Sequence, residues 1–361
     1  MTDAAFRVAL VGCGRISRNH VEAIKSAAGL ELAAVSDVLP DRAREVGEAA
    51  GVPSFVSFEE MLARVPCDVV TLATPSGLHP EEGIRAAQAG KHVITEKPMA
   101  ISLEGADALL AACAAAGVQL FVVKQNRLNP PIQLLRRALD KGRFGRLHMV
   151  TCSVLWSRPQ EYYDQASWRG TWALDGGAIM NQASHYVDLL QWVLGPVASV
   201  CGMTATLGRR IETEDTGAAV IRAQSGAMGV LQVTMLTYPK NLEGSVTVIG
   251  ERGTVRIGGT AVNRIEEWAF ADPDEDDAEV ERVNTEPPDV YGFGHLGYYR
   301  NVVAALRGEA AANTDGLEGR KSLELILAIY AAAREGREIR LPLSATAQGA
   351  GRSPQGFVRS P

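Results

Sequence analysis

Between residues 6 and 122 the chain repeats one pattern: a short, uninterrupted apolar run, then a segment with apolar residues at helical spacing. The runs are FRVALVG, LELAAVSD, DVVTLATP, HVITEKP and QLFVVKQN, with segments such as SRNHVEAIKSAA, PEEGIRAAQAG and LEGADALLAACAAAG between them. A strand that is apolar on both faces must be covered on both faces, and intervening helices provide that cover over a parallel sheet. The expected fold class is therefore α/β, with a doubly wound, Rossmann-type parallel sheet over residues 1–122. Glycines in QAGKHVI and AAGVQLF stand where helices hand over to strands, the place of left-handed C-caps.

After about residue 145 strand candidates follow one another with little between them, two pairs joined by tight QSG and ERG turns. Residues 123–343 are expected to form an α+β domain with a large open antiparallel sheet, covered by helices near 178–194, 295–307 and 317–336. The sheet's other face is the natural place for a second copy, giving a homodimer or homotetramer. The run DPDEDDAEVE lacks the glycine and ligand spacing of a calcium loop and reads as a solvated acidic loop. The polar tail 344–361 reads as disordered.

Composition narrows the partners. A net charge of -6 on 361 residues argues against a nucleic-acid surface. No window approaches 18 apolar residues and the N-terminus has no basic, apolar leader, so no membrane partner is expected and residence is expected to be cytoplasmic. The five cysteines show neither pairing nor metal-ligand spacing, so they read as reduced, mostly buried thiols and no metal is expected.

VALVGCGRIS sets Gly12, Gly14 and Ser17 in a G-x-G-x-x-S arrangement directly after the first strand, with Arg15 and Ile16 completing the loop. The first glycine makes the turn, the second lets backbone approach a pyrophosphate, and the following helix presents its N-terminal N–H groups. The second strand ends on Asp37, placed to accept the adenosine ribose hydroxyls and to repel a 2′-phosphate, which favours NAD over NADP. LATPSGLHP adds Thr74, Pro75, Ser76 and His79, and VITEKPMA adds Glu96 and Lys97, each beyond the end of a strand. Ligands of open α/β sheets lie over those ends, so the three loops should face one crevice with Lys97 aimed at the cofactor.

These motifs, with the later GGAIMNQASHYVDLL, resemble the glucose-fructose oxidoreductase/inositol dehydrogenase/MocA family over about residues 6–343. A narrower resemblance, carried by KQNRLNPPIQLLRRAL, SRPQEYYDQASWRGTW, MLTYPKNLEGSVTVIGERGTVRIGG and VYGFGH, is to UDP-N-acetylglucosaminuronate 3-dehydrogenases. That resemblance implies NAD-dependent oxidation of the sugar 3-hydroxyl in bacterial surface-polysaccharide (lipopolysaccharide, O-antigen) synthesis, with hand-over of the ketone to a sugar aminotransferase. It also implies that Trp168 and Arg169 lie near the nicotinamide. A free sugar or inositol is the alternative substrate. A non-catalytic dinucleotide sensor is the alternative of another class, and it would need neither Lys97 nor His185.

The alcohol proton needs a base, and Lys97 and His185 are the candidates. Bringing a lysine from about 10.4 to about 7 requires roughly 4.6 kcal/mol against the ammonium, whereas histidine begins near 6.5. His185 is therefore expected to be the base, with Lys97 a permanent cation beside the developing alkoxide. Asn181, four residues before His185, would share its helix face and orient a hydroxyl, with Asp188 one turn further as a potential orienter of the ring. Lys124 and Arg127 after the last parallel strand, and Arg158, Tyr162, Tyr163 and Tyr238 in later loops, are the candidates for holding the UDP-sugar.

Overall fold

The computed structural model describes residues 4–259, 261–284, 292 and 294–343; the tail read as disordered, and part of VYGFGH, lie outside them. The chain divides into two compact units, Met1–Lys124 with Gly294–Arg320, and Gln125–Phe293 with Lys321–Pro361.

The first unit runs β1 (Phe6–Val11), α1 (Ser17–Ser26), β2 (Leu30–Ser36), α2 (Pro40–Ala50), β3 (Ser54–Phe55), α3 (Phe58–Arg64), β4 (Val69–Leu72), α4 (His79–Gln88), β5 (His92–Thr95), α5 (Leu103–Ala115) and β6 (Leu120–Val122). Its strands form one parallel sheet in the order β3-β2-β1-β4-β5-β6. Val8 to Leu10, Val69, Val70, Leu72, Val93 and Ile94 are fully buried, as strands covered on both faces require. Ser57 and Ser102 cap α3 and α5 by accepting the N–H groups of Glu60 and Gly105. Gly90 and Gly117 take the expected left-handed conformation.

The second unit supplies α6 (Pro130–Asp140), β7 (Leu147–Leu155), α7 (Gln160–Asp164), a π-turn (Ala178–Gln182), α8 (Ser184–Leu194), β8 (Val197–Ala205), β9 (Thr216–Ala223), β10 (Met228–Thr234), β11 (Glu243–Gly250), β12 (Gly253–Gly258), β13 (Arg264–Phe270) and α9 (Val280–Val283). Then come α10 (Gly294–Leu306), α11 (Gly316–Glu335) and β14 (Ile339–Arg340). The eight-stranded sheet has the order β13-β12-β11-β7-β10-β9-β8-β14. Both tight turns join antiparallel neighbours as expected, β9 to β10 and β11 to β12, but β7 and β10 pair in parallel, so the sheet is mixed. Leu190 and Leu194 of α8 close over Gly229 of β10, and Ile329 of α11 closes over Gly202 of β8. The opposite face leaves Met203, Val220 and Met228 exposed.

Three expectations change. The helix Gly294–Leu306 packs on α1 in the first unit instead of covering the second sheet, because Tyr298, Tyr299, Val302 and Val303 bury there. The domain is discontinuous, which a linear division at 122 and 123 does not register. The acidic run is an ordered turn: Asp274 caps it, and Arg137, Lys141 and Arg143 pair with Asp274, Asp276, Asp277 and Glu279. Cys201 is exposed while the other four cysteines are buried. No described helix is long and apolar enough to cross a membrane.

Replacing Tyr298 by Ala removes a fully buried ring and should cost about 3–5 kcal/mol. Hydrogen exchange should accelerate across 6–124 and stay unchanged across β7–β12; the reverse pattern would assign α10 to the other unit.

Candidate active site

In the first unit the predicted loops all leave the carboxyl edge of the parallel sheet. Gly12 has φ +95°, and a Cβ there would stand 2.5 Å from the Ala73 carbonyl oxygen, so the turn after β1 admits no side chain. At Gly14 a Cβ would meet nothing within 4 Å, leaving open space beside the loop. Arg15 is exposed, and Ile16 is the N-cap of α1 with no side-chain cap; the Ser17 N–H bonds the Gly14 carbonyl at 3.1 Å and the Asn19 N–H the Ile16 carbonyl at 3.0 Å, so the loop and the first turn form one continuous bend at the positive end of the helix. Ser17 is buried and donates to the Gly14 carbonyl at 2.6 Å.

Asp37 holds this loop in place. One carboxylate oxygen accepts the Cys13 N–H at 2.8 Å and the other the Leu39 N–H at 2.8 Å. Burial, and then the charge of Asp37, push the Cys13 thiol up to about 12, so it stays protonated.

The Thr74–Ser76 loop is tied back to the sheet and to α4. Thr74 donates to Glu82, whose carboxyl burial raises to about 7 against the lowering effect of that bond. Ser76 begins a short 3-10 turn and is buried. His79 is fully buried, with Nδ1 2.9 Å from the Pro98 carbonyl and Nε2 2.9 Å from the Thr74 carbonyl, so the ring lies between the two loops and its one N–H in the neutral form serves one of these carbonyls. Burial pushes its pKa down.

Glu96 is tied to the interior of its unit. Its Oε1 lies 3.0 Å from His20 Nε2 and its Oε2 accepts the Lys97 N–H at 3.1 Å, so the carboxylate points into the unit. Burial would raise it, but the hydrogen bond and charge of His20, then Lys97 and His295, hold it far below the usual carboxylate range. His20 Nδ1 in turn meets the Tyr299 hydroxyl at 2.8 Å, which lies 3.3 Å from Thr71 Oγ1. His295 is pushed down to about 3 by burial, then by the charge of His20. The ligand atoms of His20, Glu96 and His295 lie within 4.8 Å of one another, and Glu96, bonded to His20 and to the Lys97 amide, links this trio to the lysine loop. Lys97 itself is half-buried, ahead of a cis peptide to Pro98. Lys124, expected to face a crevice, is only 2% exposed.

In the second unit the spacing of Asn181 and His185 is not one α-helical step. It crosses from the π-turn into α8, where the Ala183 N–H bonds the Ala178 carbonyl at 2.8 Å, adding a residue to the turn. Asn181 donates to Asp175, whose other oxygen accepts the Gly170 N–H at 2.6 Å. His185 is half-buried, with Nε2 3.3 Å from the Gln125 amide nitrogen. Asp188 grips Arg127 through two bonds of 2.7 and 2.8 Å, a buried fork that orients the guanidinium.

Arg169 lies over the rings of Tyr162 and Trp168, at 4.3 and 4.7 Å, and Arg158 over those of Trp156 and Tyr162. Arg158 also donates to Asn241 at 3.2 Å. Tyr163 is buried with its ring edge-on to that of Tyr162, and burial pushes its hydroxyl up. Tyr238 is 95% exposed. Glu214 and Tyr330, which no motif singled out, lie buried beneath the π-turn.

Residues 6–124 match a family model described as "Oxidoreductase family, NAD-binding Rossmann fold", and residues 132–256 one described as "GFO/IDH/MocA C-terminal domain". Among solved structures the chain is similar to the WlbA dehydrogenase of Bordetella pertussis in complex with NADH and UDP-GlcNAcA, with 56% identity, a TM-score of 0.92, and 95% of this chain and 100% of that chain covered. It is also similar to the WlbA dehydrogenase of Chromobacterium violaceum in complex with the same two ligands, with 53% identity, a TM-score of 0.90 and coverage of 95% and 98%. A more distant relative is the D-apiose dehydrogenase of Paraburkholderia graminis, 29% identical over 99% of this chain and 96% of that protein.

The buried Glu96 makes a specific prediction. His20→Leu strips the carboxylate of a partner and should cost about 3–5 kcal/mol, while adding Glu96→Gln should restore much of the loss. Urea denaturation of the single and double variants checks it; additive losses would mean that the two groups are not coupled.

Proposed function

The chain belongs to the Gfo/Idh/MocA oxidoreductases, and from that membership we propose that it oxidises the 3-hydroxyl of UDP-N-acetylglucosaminuronate to the 3-ketone with NAD. The observation that carries this is the 56% identity, over 100% of its length, to a WlbA dehydrogenase crystallised with NADH and UDP-GlcNAcA. Likeness to enzymes named for a free sugar stands at 29% and weighs less.

The residues fit the cofactor. Open space at Gly14, the positive end of the α1 dipole and the Asp37 carboxylate suit a pyrophosphate and a ribose diol. When bound, NAD supplies the hydride acceptor. In our reading Lys97 stays an ammonium, hydrogen-bonds the reacting oxygen and stabilises the alkoxide as it forms, while His185 takes the hydroxyl proton. Asn181, held by Asp175, orients a neighbouring hydroxyl. Arg169, stacked between two rings, is pre-ordered to hold the nicotinamide carboxamide or a carboxylate, and Arg158 and Tyr238 belong to loops that cover the nucleotide-sugar.

The product is a ketone of the kind a pyridoxal-type aminotransferase consumes, so hand-over to such an enzyme in cytoplasmic synthesis of a surface polysaccharide goes with this reading. A homodimer or homotetramer does too: Met203 is 80% and Val220 47% exposed on the uncovered sheet face, and burying them needs a second copy.

Incubation with NAD and UDP-N-acetylglucosaminuronate should reduce nicotinamide, and inositol or free hexoses should not; the opposite outcome selects the free-polyol reading, and no reduction with either a sensor. Lys97→Ala and His185→Ala should each lower turnover by about 100-fold or more while NAD affinity, read by calorimetric titration, stays within a few fold. Met203→Glu should lower the mass read by light scattering toward that of one chain.

A further inference from the structure

We propose that Glu214 and Tyr330 are positioning residues for the dehydrogenase reaction: together they cap the π-turn that presents Asn181 and leads into His185. The inference rests on the assignment of His185 as the base.

The first N–H groups of a helical segment have no partner within it, and a side-chain cap normally supplies one. Gly177, the N-cap of the π-turn, has no side chain to offer. Three consecutive amides are instead taken up from distant parts of the unit. The Ala178 N–H bonds the Glu214 carbonyl at 3.0 Å, the Ile179 N–H bonds Glu214 Oε1 at 2.8 Å, and the Met180 N–H bonds the Tyr330 hydroxyl oxygen at 3.1 Å. The Tyr330 O–H in turn donates to Glu214 Oε1 at 2.8 Å, closing the cluster, and Trp172 packs edge-on against the Tyr330 ring.

The glycine pair of the GGAIMN motif now has a cause. A Cβ on Gly177 would stand 1.6 Å from Glu214 Oε2, so the carboxyl occupies the volume a side chain would need. Motif and acid form one device, with the glycine admitting the carboxyl that sets the pitch of the turn. Glu214 is 3% exposed, and burial, against the bonds from Ile179 and Tyr330 and with the nearby Asp215, raises its carboxyl to about 7. The π-turn packed against it, AIMNQ, carries no charge, and α11 contributes the Tyr330 hydroxyl. Burial favours the neutral acid, and the Ile179 N–H and the Tyr330 hydroxyl oppose it.

The sign follows from linkage. A folded pKa near 7 against an unfolded value near 4.3 gives stability that is complete below about 4.3 and lost as pH rises through about 7. Glu214→Gln keeps the acceptor oxygen and cannot ionise, so its melting temperature should gain on that of the wild type between about pH 5 and pH 9.

The test uses the full chain with NAD and the sugar nucleotide. Glu214→Ala should lower kcat by at least about tenfold with NAD affinity unchanged, and Glu214→Gln should recover kcat to within about threefold. Hydrogen exchange over residues 176–185 should accelerate in Glu214→Ala and remain slow in Glu214→Gln. Should Glu214→Ala not fold, Tyr330→Phe decides: it removes only the hydroxyl that receives Met180, and it should speed exchange at 178–182 and lower kcat several-fold. Unchanged exchange and a kcat within about twofold in the folded variants would overturn the proposal. Full turnover by His185→Ala would instead overturn the base assignment, while the exchange result would still report on the cap.

Discussion

A carboxylate shut inside the first unit governs what surrounds the lysine loop. Glu96 has been taken out of water, and an uncompensated charge there would cost several kcal/mol. His20 from α1 and the Lys97 amide answer it directly, and Tyr299 answers His20. Tyr299 lies 279 residues along the chain from His20, so satisfying one acid requires a late helix to return to the first unit. The late helix and the Lys97 backbone are thereby tied to the same buried acid.

The second unit uses the same device on different elements. Asp175 fixes Asn181, Asp188 fixes Arg127, and Glu214 fixes the amides of the π-turn. Lys97 and Asn181 are half-buried, the first bonded through its amide to the buried Glu96 and the second through its side chain to the buried Asp175. Side chains held in this way need little reorganisation when charge develops on a substrate oxygen, which is where electrostatic stabilisation gains most.

The parts of the site readable in the sequence were those set by local rules. Gly12, Asp37, Thr74 and Lys97 each follow the end of a parallel strand, and strand ends can be found from apolar runs alone. Hairpins with QSG and ERG turns were legible for the same reason. What escaped depends on long-range partners or on departures from regular geometry. His79, Glu96 and Arg127 bond partners across the fold that no local motif announces. The π-turn shifts Asn181 relative to His185 in a way that a 3.6-residue period cannot anticipate. The parallel pairing of β7 with β10 also leaves no local trace, since the strands of a pair carry the same alternation in either direction.

The central claim is that the imidazole of His185 titrates during turnover while the ammonium of Lys97 does not. The pH dependence of single-turnover nicotinamide reduction, compared between the wild-type chain and His185→Gln, tests it most directly. The account predicts that the wild-type rate falls on the acid side through a single ionisation in the histidine range, near about 6.5, and that this limb is missing from the residual rate of the variant. An acid limb that persists unchanged in His185→Gln would place the proton on another group and contradict the account.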